Sequence, residues 1–159
     1  MAKAALRLRV LLEWIVVSLV FGLAGLVVVG VVYRKLGASL VFYDEVASIL
    51  LAWLTYYGAA LAALDRAHIG FPGLAARLNP ARRRAALLLN ELVVIGFFAL
   101  LIWAGFRVMT VLQGTYLVSL PLVPARLAYS ALPIGALLFI VAECLTFYDR
   151  WRRAGTSAE

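Results

Sequence analysis

The chain has 159 residues, 65% of them hydrophobic and 14% charged, with a mean hydropathy of +1.00. Soluble domains are about half apolar and a quarter charged, so this composition excludes a self-contained soluble fold and calls for lipid around the chain. The net charge of +7 comes from 15 Lys and Arg against 8 Asp and Glu; the basic residues flank apolar runs instead of forming one face, so membrane topology and lipid headgroups explain them and no nucleic-acid partner is expected.

In chain order, the first apolar run covers about 10–33 and is interrupted only by Glu13. At ~1.5 Å per residue it reaches about 36 Å, enough to cross a bilayer with some tilt. Lys3, Arg7 and Arg9 precede it as they would a signal peptide, but the apolar core is too long and no small-residue cleavage site follows, so it reads as a retained helix. The second run, about 40–64, opens on Asp44 and Glu45. The third, about 85–109, follows Asn79-Pro80, a cap and first-turn proline that place the helix start in the headgroup region. The fourth, about 125–147, has Pro124 at its start and Pro133 inside it, where a kink is expected. Open backbone cannot face lipid, so the expected fold is all-α: one membrane domain, 1–159, of four transmembrane helices.

The middle loop adds one element. Phe71, Leu74 and Leu78 fall three and four apart, on one helical face, which predicts a short amphipathic helix lying at the interface between the second and third spans. The N-terminus, this loop and the C-terminal tail hold eleven Lys and Arg; the two opposite loops hold four, namely Arg34, Lys35, Arg107 and Arg126. That bias predicts both termini in the cytoplasm.

Ionisable groups are costly inside a span, and none of the carboxylates lies at its middle. Glu13, Glu91 and Glu143 fall near the cytoplasmic ends of the first, third and fourth spans, with Arg9, Arg84 and Arg150 in reach for interfacial pairing. At the other side the first two spans are joined by about six residues, so Arg34 and Lys35 are placed to pair with Asp44 and Glu45. Trp14 and Trp151 fit an interfacial aromatic belt, while Trp53 and Trp103 lie deep. Gly58-Ala59-Ala60 with Ala62 and Ala63, and Gly96 with Gly105, form small-residue stripes suited to close helix packing.

Catalysis finds no foothold. The single cysteine, Cys144, and single histidine, His68, permit neither an internal disulfide nor a metal cluster, and exclude a haem held by two histidines of one subunit. Cys144 is expected to serve as a small packing residue. There is no nucleophile–base pattern and no glycine-rich phosphate loop, so no enzyme activity and no cofactor are expected.

The segment Phe42-Tyr43-Asp44-Glu45 through Trp53 and Gly58-Ala59-Ala60 to His68-Ile69, with Phe71, Leu74 and Leu78 after it and Leu120-Pro121, Tyr129 and Leu132-Pro133-Ile134-Gly135 beyond, resembles the small, DctQ-like membrane subunit of tripartite ATP-independent periplasmic (TRAP) transporters. The resemblance covers roughly Leu11 to Leu145. It departs from the family pattern in having Asp-Glu where two glutamates are common. It implies a bacterial inner-membrane subunit that forms a static scaffold with a large membrane subunit. That subunit has the substrate and sodium sites, and a periplasmic substrate-binding protein delivers an organic acid to it. Arg34, Asp44, Glu45, Trp53, Gly58, His68 and Pro133 are then the candidate interface or structural residues, with membrane lipids as further partners. The alternative is an exporter similar to the small multidrug-resistance family, with Glu13 as its proton and cation site.

Overall fold

A computed structural model of the chain describes residues 2–38, 40–65 and 79–156, with side chains at 5–38, 40–65, 79, 82 and 85–147. The expected interfacial helix at Phe71, Leu74 and Leu78, and His68 with it, lies outside these residues. The described chain is helical: α1 (Ala2–Lys35), α2 (Tyr43–Leu64), α3 (Pro80–Val111), α4 (Ala125–Tyr129) and α5 (Ala131–Thr156). Four segments are long and apolar enough to cross a membrane, Ala5–Lys35, Tyr43–Leu64, Ala85–Val111 and Ala125–Phe147. Helices close their backbone hydrogen bonds internally, which lipid demands.

The ends of the elements follow local chemistry. Gly37, at φ +79°, terminates α1 with Ala38 N–H donating to Tyr33 O at 3.1 Å, a left-handed turn that a side chain would strain. Pro80 begins α3, where its missing N–H costs nothing. The last span does not kink at Pro133; it breaks at Ser130. The missing N–H of Pro133 would have bonded Tyr129 O, and its ring presses on that same carbonyl, so the interruption falls directly after Tyr129, three residues upstream of the proline.

The long helices pack in the order α1, α2, α5, α3, each against its neighbours in that row. Among the described residues, α1 and α3 make no substantial contact with each other, so the row stays open instead of closing into a bundle. The last span is its centre: half of its apolar window is buried, against 6% for the first and third spans. Ala131, Ala136, Phe139, Ala142, Glu143 and Thr146 form its buried face.

Three glycines mark where the helices come closest. A Cβ on Gly30 of α1 would strike the Tyr43 ring, and one on Gly135 of α5 would strike Tyr56 of α2. On Gly105 of α3 it would come within 2.8 Å of Pro133 Cδ and 3.1 Å of Pro133 N. Nearer the other end of the row, Phe98 and Phe139 stack with centroids 3.7 Å apart and planes 8° from parallel. Lipid supplies no hydrophobic force between helices, so these van der Waals contacts hold the row.

The expected small-residue stripes are used only in part. Ala60 and Ala63 are buried, whereas Gly58 and Gly96 open onto empty space. Cys144 is exposed, not packed inside the chain. Trp14 and Trp103 are exposed too, and the Arg107 guanidinium lies 5.4 Å above the Trp103 ring.

Candidate functional site

At the Arg34 end of the row, two loops meet on Glu45. The segment after α3 turns at Gly114, φ +77°, and folds back on itself: Leu117 N–H donates to Val123 O and Ala125 N–H to Thr115 O, both at 3.0 Å. Glu45, in the first turn of α2, receives this loop in its carboxylate. Val118 N–H donates to Oε1 at 3.1 Å and Ser119 N–H to Oε2 at 2.8 Å. The Ser119 hydroxyl donates to Val41 O at 3.3 Å, tying in the loop between α1 and α2.

The expected pairing with Arg34 and Lys35 does not form. Among the described residues, both cations are exposed and neither makes an ion pair with Asp44 or Glu45. Two convergent backbone amides offer a carboxylate charge-assisted bonds at small entropic cost, whereas an exposed pair must immobilise long side chains for little gain. Asp44 stays exposed, its backbone carbonyl accepting from the Ser48 hydroxyl at 2.7 Å.

Trp53 stands two turns along α2, about 12 Å from Glu45. Its indole N–H donates to Ala128 O of α4 at 3.1 Å, and its ring stacks on Tyr57 with centroids 5.5 Å apart. Thus α2 holds the loop with one side chain and the short helix after it with another. Between these elements lies a groove of about 440 Å³ lined by Glu45, Ser48, Ile49, Ala52, Tyr56, Leu117, Ala128, Tyr129, Ala131 and Leu132. Past it, Pro133 sits against Gly105 and so sets the approach of α3 to α5.

The opposite end is joined differently. Arg9 of α1 donates through Nε to Asp65 Oδ1 at 2.5 Å, just beyond α2. The expected ion pair with Glu13 is therefore replaced; Glu13 is exposed. Asp65 escaped the sequence reading, although an acid directly after an apolar run, on the predicted side of Arg9, was the available signal. Val118 and Ser119 were missed as well, since a backbone amide that seeks a distant carboxylate has no signature. Glu91 and Glu143 are buried between the helices; their expected partners, Arg84 and Arg150, have side chains outside those described. Among the described residues, no group of histidine, cysteine and carboxylates has the makings of a metal site.

The family model described as "Tripartite ATP-independent periplasmic transporters, DctQ component" matches residues 23–153. The chain belongs to this family. No curated protein matches it. As a DctQ component, the chain is a multi-pass membrane subunit of a TRAP transporter, from a family of transporter components and not of enzymes. The match contains Arg34, Asp44, Glu45, Trp53, Gly58, Pro133 and the whole loop that Glu45 holds. Glu13, on which an exporter reading depends, lies outside it.

Proposed function

We propose that this DctQ component is the stationary scaffold of its transporter, pressed against the large membrane subunit and helping to seat the periplasmic binding protein during sodium-coupled import of an organic acid. The observation that carries the reading is the Glu45 clasp, which fixes two loops into one surface at the Arg34 end of the helices. A scaffold needs such a fixed face, and the excess of Lys and Arg at the opposite end favours both termini in the cytoplasm of a bacterial inner membrane. The clasped loops then face the periplasm, where a binding protein arrives.

The interface with the large subunit draws on the faces the row leaves open. Gly58 and Gly96 present backbone to empty space, and such positions admit a neighbouring helix closely. Arg34, Asp44 and the exposed loop apolar groups Val118 and Leu122 are the side chains offered to the binding protein.

The test is reconstitution. In mild detergent the chain copurifies with a large TRAP membrane subunit; in liposomes it transports nothing alone, and uptake requires that subunit, the binding protein and a sodium gradient. Uptake of solute by the purified chain by itself overturns the scaffold reading. Reporter fusions at Lys3 and Glu159 that proved periplasmic would overturn the orientation.

A further inference from the structure

We infer that the groove between α2 and α4 is a binding site for one zwitterionic phospholipid with a primary-amine headgroup, its ammonium at Glu45 and one acyl chain running down to Tyr56. The inference concerns this chain's own surface and goes beyond the scaffold reading.

The groove owes its existence to the break at Ser130. An unbroken last span would keep its buried face against α2 along its whole length; the interruption turns α4 aside and leaves a wedge walled by Ile49, Ala52, Ala128 and Leu132. The wedge is closed below, where Gly135 lets α5 press directly on Tyr56. From Glu45 to Tyr56 is eleven residues of helix, about 16 Å, close to half of the ~30 Å hydrocarbon core. That is the depth of one leaflet. A transmembrane helix of a partner, 10–12 Å across and crossing both leaflets, does not fit a slot that ends halfway; a single acyl chain does.

Charge at the mouth selects the headgroup. The Glu45 carboxylate is bound by two neutral amides, and among the described residues it has no cationic partner within ion-pair distance. Its negative charge is therefore still available. Arg126 is exposed one turn before Tyr129, a residue that lines the groove, on the same side of α4. An ethanolamine headgroup matches both: its ammonium donates hydrogen bonds to the carboxylate, and its phosphate accepts from the guanidinium. A choline headgroup lacks N–H donors, and a glycerol headgroup supplies no positive charge to Glu45.

The experiment uses the chain in complex with its transporter partners and a phosphatidylethanolamine carrying a diazirine in one acyl chain. Irradiation is expected to label peptides within 45–56 and 128–132. Unlabelled phosphatidylethanolamine should compete about tenfold better than phosphatidylcholine or phosphatidylglycerol of the same chains, the factor one charge-assisted bond supplies. Ala52→Phe, which fills the groove, should cut labelling about tenfold, and Arg126→Gln should lower labelling without changing the order of competition, because all three lipids carry the phosphate. Ser48→Phe blocks the mouth from an exposed position and stands in if Ala52→Phe does not fold. Label spread over α1 and α3, equal competition by the three lipids, or full labelling of both filled variants would overturn the inference. So would crosslinks joining the groove to a partner protein.

Discussion

Gly105 and Gly96 lie on the same helix, and alanine at the two sites should have different consequences. At Gly96 the new methyl meets nothing within 4 Å; at Gly105 it comes to 2.8 Å from Pro133 Cδ and 3.2 Å from Pro133 Cβ. Carbon atoms prefer about 3.5–4.0 Å, so α3 and α5 must separate by several tenths of an ångström, and neither a proline ring nor its backbone nitrogen swings aside. Overpacking of this kind costs about 1–3 kcal/mol. The usual helix-propensity advantage of alanine, about 1 kcal/mol, offsets little of it, because spans remain helical when they separate in lipid or detergent. Unfolding of the purified chain in mild detergent, followed by tryptophan fluorescence, reads the difference. At about 2–4 °C per kcal/mol, Gly105→Ala should lower Tm by roughly 2–12 °C, while Gly96→Ala leaves it nearly unchanged. Equal Tm values for the two variants would refute the close crossing of α3 and α5 at Pro133. In the full complex Gly96→Ala gains a second reading, since loss of copurification there would place Gly96 against the large subunit.

Trp53→Phe keeps the ring and removes the N–H that bonds Ala128 O; a loss of about 0.5–1.5 kcal/mol is expected, with faster amide exchange confined to α4. Exchange rising equally along α5 would contradict it. Phe139→Ala empties the stack on Phe98 and should cost about 3–5 kcal/mol, whereas Leu92→Ala, on an exposed face, should leave the isolated chain almost as stable as before. Glu45→Gln keeps one acceptor and turns an NH2 towards a second N–H. Hydrogen exchange should then lose protection at Val118 or Ser119 while Leu117, bonded to Val123 O, retains it; unchanged protection at both Val118 and Ser119 would show that the carboxylate does not hold the loop.

What could be read from the sequence, and what could not, divides along physical lines. Four spans follow from run length and composition, and Asn79-Pro80 announced the start of α3 because a missing N–H is harmless only there. The faces of those spans were not legible. In a soluble helix the apolar stripe marks the buried side; here every side is apolar, so Gly58 and Gly105 look alike in sequence although one meets open space and the other a proline ring. Charges misled for a related reason. Arg34 is near Glu45 along the chain, and Arg9 is one turn from Glu13, yet the bonds go to Ser119 and to Asp65 across 74 and 56 residues. Local spacing counts opportunities, and the packed row chooses among them. The effect of Pro133 was expected at the proline itself, but its missing donor is felt at the carbonyl of Tyr129.

The open row has a consequence for the life of the subunit in the cell. A closed bundle hides its best surfaces from the membrane; here only 6% of the apolar window of α1 and of α3 is buried, so an orphaned copy shows the membrane faces that an assembled one covers. Quality-control proteases that survey the bilayer for unassembled helices would find such a copy easy to recognise. Abundance of this chain is therefore expected to follow that of its large partner and to fall when the partner is deleted, even with its own transcription unchanged. The shape that leaves so much surface for assembly also makes assembly the condition of persistence.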